Sequence, residues 1–146
     1  MNWDIVFQTA NQIALPCWLA LILLPRHRFL IWSIRYGAVG VLALLYSALM
    51  FTSFFEVTGG GFGSIAEVRA LFASDPVLVA GWVHYLAFDL LVGLGIAASA
   101  DRHGLSRIVQ APMLLATFLF GPLGLVLLRL VVLFVNRRPA LEGATI

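Results

Sequence analysis

The chain has 146 residues, of which 62% are apolar and 11% charged. Soluble domains carry roughly 25% charged residues, so the composition excludes an ordinary water-soluble enzyme and a disordered tail. A net charge of +2 gives no basis for a nucleic-acid partner. All nine basic residues are arginine, which reads as compositional bias rather than a binding patch. The lone Cys17 permits no internal disulfide.

A membrane-crossing helix needs about 20 predominantly apolar residues. Four stretches meet that requirement, so the expected fold is an all-α, integral-membrane four-helix bundle in one domain covering residues 1–146. The first span, residues 5–24, lies between Asp4 and Arg26 and is free of charge. It lacks the basic leader of a signal peptide, and it contains Gln8, Asn11 and Gln12. The second span, residues 36–55, follows Arg35 and stops at Glu56. A Gly-rich turn comes next, and residues 64–74 are expected to form a short amphipathic helix with Ser64 and Glu67 as its capping box. The third span, residues 77–100, carries His84 and Asp89. The fourth, residues 108–128 with a possible extension to 135, is expected to kink at Gly121-Pro122. Residues 137–146 read as a flexible tail.

Arginines set the expected orientation. Arg26, Arg28 and Arg35 separate spans one and two, and Arg102 and Arg107 separate spans three and four. The intervening connection holds Glu56, Glu67, Asp75 and only Arg69. The positive-inside rule then places both basic loops in the cytoplasm and both termini outside, although Arg129, Arg137 and Arg138 oppose that direction. The absence of a plastid transit segment and the compact loops point to a bacterial inner membrane.

Asp89 is the most informative position. An ionised Asp at a span centre costs about 2.5 to 3.5 kcal/mol on insertion scales. Such an acid is expected to face the interior, to have a partner, and to favour its protonated form. Its role is either catalytic or an interhelical hydrogen bond that fixes packing. Tyr85 precedes it by one helical turn on the same face, and Gly81 and Gly93 continue that row. His84 lies about 140° around the helix from Asp89, so the two form no same-face dyad.

Pro122 has no N–H, so the Phe118 carbonyl loses its helical donor. The short loop between spans three and four makes them antiparallel neighbours. Counted from that loop, Asp89 and Phe118 fall at similar depth, where the pair forms a structural clasp or faces one ligand. Gln8, Asn11 and Gln12 make a polar stripe on span one, and Tyr46 sits near the centre of span two. These groups either line a pocket toward the outer leaflet or pair between helices. No metal-ligand spacing, phosphate-binding loop or activated nucleophile is evident.

The run Trp82-Val83-His84-Tyr85-Leu86-Ala87-Phe88-Asp89-Leu90, with Asp101 and Phe120-Gly121-Pro122-Leu123-Gly124 beyond it, resembles the abscisic-acid-deficient-type, or neoxanthin-synthase-like, membrane proteins. Leu71-Phe72-Ala73-Ser74 fits the same pattern. The likeness is sharpest from about Ile65 to Leu130. Plant members are needed to make the allenic xanthophyll neoxanthin from the epoxide violaxanthin. The resemblance therefore implies a cofactor-independent isomerase acting on a long apolar polyene or terpenoid. In that reading Asp89 is the acid and His84 the base, with Tyr85, Trp82, Tyr46, Gln12, Phe118, Gly121 and Pro122 contacting the substrate and no metal involved. The alternative is a non-enzymatic module that binds lipid or pigment, or assists a partner membrane protein. A homo-oligomer fits either reading, and a small transporter is a weaker third, since one copy holds no inverted repeat.

Overall fold

The computed structural model describes residues 2–136, so the expected tail at 137–146 lies outside the described residues. Among them the chain is helical and contains no strand. We number the helices α1 (Trp3–Leu23), α2 (Arg28–Glu56), α3 (Ile65–Phe72), α4 (Asp75–Arg102), α5 (Arg107–Phe120) and α6 (Leu123–Asn136). Among the described residues, α1, α2 and α4 are the helices long and apolar enough to cross a membrane. The chain divides into two compact units, residues 1–91 and 92–146.

In the first unit, α1 starts where Asn2 accepts hydrogen bonds from the N–H groups of Asp4 and Ile5, at 3.0 and 3.3 Å. This cap satisfies two of the donors that a helix start leaves unpaired. Helix α2 begins eight residues earlier than the hydropathy boundary at Tyr36. Its first part runs through Arg28 and Arg35, and residues Ser33–Ala38 are wound as a π-helix. Nothing in that stretch breaks a helix, and charged side chains at a helix end are tolerated where the end meets water. The short helix α3 matches the expected amphipathic segment. Ser64 accepts the Glu67 N–H at 3.2 Å, while the Glu67 carboxylate reaches past Ser64 to the Gly63 N–H at 2.9 Å. Small side chains let these helices approach. Ala10 and Ala14 of α1 meet Leu42 and Leu49 of α2 and Val79, Ala80, Val83, Leu86 and Ala87 of α4 in one buried cluster.

In the second unit the fourth expected span is replaced by two helices of 14 residues each. Gly121 ends α5 with φ +58° and ψ −108°, a conformation that glycine adopts at low cost. Its N–H donates to Thr117 O at 2.8 Å, and α6 starts after Pro122. The chain then reverses. A Cβ on Gly124 would overlap Thr117 Oγ1 and the Met113 carbonyl oxygen. In a straight helix positions 113 and 124 would stand about 16 Å apart. The expected kink is therefore a hairpin, because Gly121 reverses the chain and Gly124 lets α6 lie directly against α5. Buried Met113, Leu114 and Thr117 on α5 and Leu128 on α6 form its contact faces. The loop before the hairpin is held by Gln110, whose Nε2 donates to Asp101 Oδ1 and Leu105 O, both at 2.8 Å.

Gly124→Ala should overpack the hairpin at a cost of about 1–3 kcal/mol. The check is the Tm of purified protein in detergent. A fall of several degrees is expected, and an unchanged Tm would contradict the close contact.

Candidate functional site

The chemistry-bearing residues of the first unit radiate from one stretch of α4. Asp89 is 9% exposed. The Tyr85 hydroxyl, one turn back on the same face, interacts electrostatically with its carboxyl. Asp89 Oδ2 has no hydrogen-bond partner among the described residues. Leaving such an atom unpaired costs about 1–3 kcal/mol. Asp89 is thus partnered from its own helix on one side and unsatisfied on the other.

Tyr85 also lines the larger cavity of this unit, about 760 Å³. Its walls are mostly aromatic and aliphatic: Trp3 and Phe7 from α1, Phe72 from α3, and Leu78, Val79, Gly81 and Trp82 from α4. Asn2, Asp4 and Asp75, at the exposed starts of α1 and α4, supply the other polar groups. Trp82 is the best-fixed wall. Its ring lies 5.3 Å from both Phe7 and Tyr85, and its Nε1 donates to Asn11 Oδ1 at 3.1 Å. Asn11 is itself fixed by donating to Phe7 O at 2.8 Å. An apolar chamber with few, fixed polar groups suits an apolar ligand that carries an occasional oxygen.

His84 points elsewhere. It lines a second cavity of about 200 Å³ with Tyr46, Met50 and Phe54 of α2, Phe62, and Leu71 and Phe72 of α3. Its ring stacks on Phe88 at 4.3 Å and tilts against Tyr46 at 5.2 Å. The angular offset on α4 thus sends His84 and Tyr85 into different chambers. Phe72 and Gly81 border both.

The other predicted positions are placed as follows. Gln12 and Gln8 are exposed, and Asn11 is the amide of that stripe that meets Trp82. Phe118, Gly121 and Pro122 belong to the second unit, at or just before the hairpin turn. Sequence reasoning did not single out Phe7 or Phe72 as wall residues, and of its two readings for Asn11 the structure shows pairing between helices, with Trp82. Their roles depend on which face of α1 and α3 meets α4, and spacing along one helix carries no such information. Among the described residues no three His, Cys, Asp or Glu side chains gather as a metal site. The His103 ring bonds Ser99 O at 2.8 Å, and Asp101 accepts from Gln110.

Two substitutions separate a functional carboxyl from a structural one. Tyr85→Phe removes the partner and keeps the acid buried, so it should destabilise by about 1–3 kcal/mol. Asp89→Leu removes the unsatisfied group altogether, so its Tm should equal or exceed that of the wild type. A large loss of stability in Asp89→Leu, with none in Tyr85→Phe, would show that the acid holds the fold.

No curated protein and no solved structure matches the chain. A family model described as ABA DEFICIENT 4-like matches residues 5–128, a range that takes in nearly all of α1, all of α2 and α4, and the hairpin turn. On that match the chain belongs to the ABA DEFICIENT 4-like family.

Proposed function

We propose that this protein is an integral membrane protein that binds a polyene or terpenoid in the α1–α3–α4 chamber and rearranges it by proton transfer, without a cofactor. The observation that carries the reading is the contact between chamber and carboxyl. Tyr85 lines the large aromatic cavity and interacts electrostatically with buried Asp89, whose Oδ2 is unpaired. An epoxide-to-allene type of isomerisation needs an acid at the ring oxygen and a base at a carbon-bound hydrogen. The C–O bond breaks as the oxygen takes a proton, and the electrons of the lost C–H bond form the new double bond. Tyr85 meets the oxygen, Asp89 replenishes the proton through it, and His84 is the nearest base on the same helix.

One observation favours the second reading, a binding module without catalysis. His84 and Tyr85 line separate cavities, so the acid and base are not assembled in one chamber. The two readings part on Asp89→Asn, which keeps shape and removes the titratable acid. Lipid and pigment extracts of cells lacking the gene are compared with cells complemented by wild type or variant. The isomerase reading expects wild type to restore a product and Asp89→Asn to lower it at least about 100-fold, a typical loss for a missing acid–base group. Full restoration by an inserted Asp89→Asn protein would leave only the binding module.

The membrane arrangement belongs to the same proposal. Helices α1, α2 and α4 cross, and the hairpin enters and leaves on one side. A helix of 14 residues spans about 21 Å against a hydrocarbon core of about 30 Å. Three crossings leave the N-terminus outside and bring the chain beyond α6 to the cytoplasmic side. Arg129, Arg137 and Arg138 then agree with Arg26, Arg28, Arg35, Arg102 and Arg107 under the positive-inside rule. The four-span expectation of two outer termini had to leave them as exceptions. Carboxy-terminal fusions decide the matter. A fluorescent-protein fusion that is bright, with an inactive alkaline-phosphatase fusion, is expected. An active phosphatase fusion would mean that α5 and α6 together complete a fourth crossing.

A further inference from the structure

Phe72 and Gly81, which lie against each other, are shared by the cavity that Tyr85 lines and the cavity that His84 lines. A Cβ on Gly81 would stand 2.6 Å from Phe72 Cε1 and 3.3 Å from its Cζ. The Phe72 ring therefore rests directly on the α4 backbone, at a point where any other residue would hold it off. Trp82 and Tyr85 line the chamber on one side of that point, and His84 and Val77 line the chamber on the other.

We propose that the two chambers are the ends of one groove for a single elongated apolar molecule, which crosses α4 over Gly81 when the Phe72 ring swings aside. The proposal rests on the reading that the large chamber takes a polyene or terpenoid, and it adds the length of that ligand and the residues that select it. Neighbouring helix axes stand about 8–10 Å apart, so a molecule reaching from α1 past α4 to α2 is roughly 16–20 Å long or more. Laid across Gly81, it would meet Tyr85 and His84 at separate points along one chain, and a ligand confined to one chamber meets only one of them.

Phe72 is built to move. Its neighbour Leu71 is 1% exposed and anchors α3, whereas Phe72 is 45% exposed. The Leu71 methyl carbons also pack under the Gly-rich turn, where a Cβ on Gly60 would approach Leu71 Cδ2 to 2.6 Å. Docking of α3 therefore does not depend on the Phe72 ring. In a bilayer the displaced ring would exchange one apolar surrounding for another, since acyl chains are as apolar as side chains. The competing explanation is that Phe72 merely fills the dip over Gly81 and packs α3 onto α4.

The test uses purified full chain in detergent, with retinol as the short probe and zeaxanthin as the long one. Binding is read from quenching of tryptophan emission and from the polyene absorption that stays with the protein after washing. Gly81→Val fills the crossing and should weaken zeaxanthin about tenfold or more relative to retinol. Phe72→Ala clears it and should strengthen zeaxanthin by a similar factor relative to retinol. The Tm in detergent is the folding control for both variants. If Gly81→Val fails that control, Phe72→Ala compared with Phe72→Leu decides alone. Equal responses of the two probes, or no response of zeaxanthin to any variant, would overturn the single groove and leave the chamber a retinol-sized site. Failure of both probes on wild type would instead overturn the apolar-ligand reading on which the groove rests.

Discussion

The proposed function turns on a carboxyl that α4 carries into an apolar interior. Water cannot compensate Asp89 there, and its own helix compensates it only in part, through Tyr85. An acid kept in that condition lowers stability by an amount that simple packing would avoid. The row Gly81, Tyr85, Asp89 sets its connection to the surroundings. Gly81 forms the floor of the cavities, Tyr85 faces the larger of them, and Asp89 stands behind Tyr85. In the proposed function the hydroxyl is the group through which the buried acid meets whatever occupies the chamber.

The surrounding fold serves that row. Ala10 and Ala14 bring α1 close enough to α4 for Phe7 and Trp82 to stack, and Asn11 holds the indole in place. The short helix α3 is capped by Ser64 and anchored by Leu71, which sets Phe72 over the glycine between the chambers. The polar groups here are few, and the Trp82 indole is held by Asn11, which itself donates to Phe7 O, an arrangement that suits a mostly apolar ligand oriented by one or two oxygens.

Much of this was legible in the residues. Long apolar runs mark α1 and α4, the second interrupted by Asp89, because only continuous apolar helices satisfy their own backbone in lipid. The cost of burying Asp89 pointed to the interior, and the angle between residues 84 and 89 foretold that His84 would face another way. The start of α2 was hidden because Arg28 and Arg35 read as loop, although helix ends accept charge at an interface. The hairpin was hidden for a different reason. Gly121-Pro122 signals a break in the helix, but whether the chain bends or reverses depends on Gly124 meeting Met113 and Thr117, which is a tertiary contact. The choice of Asn11 over Gln12 likewise depends on where α4 lies, which one helix cannot reveal.

The burial of position 89 is open to direct chemical measurement. In a Cys17→Ser background, Asp89→Cys and Phe88→Cys are exposed in membranes to a water-soluble maleimide and to a lipid-soluble one. Phe88 is 56% exposed on the outer face of α4, and Asp89 is buried. The account predicts that the cysteine at 88 reacts with the lipid-soluble reagent, while the cysteine at 89 resists both. Rapid reaction at 89 with the water-soluble reagent would place that side chain in bulk water, and the carboxyl could not then be the enclosed acid described here.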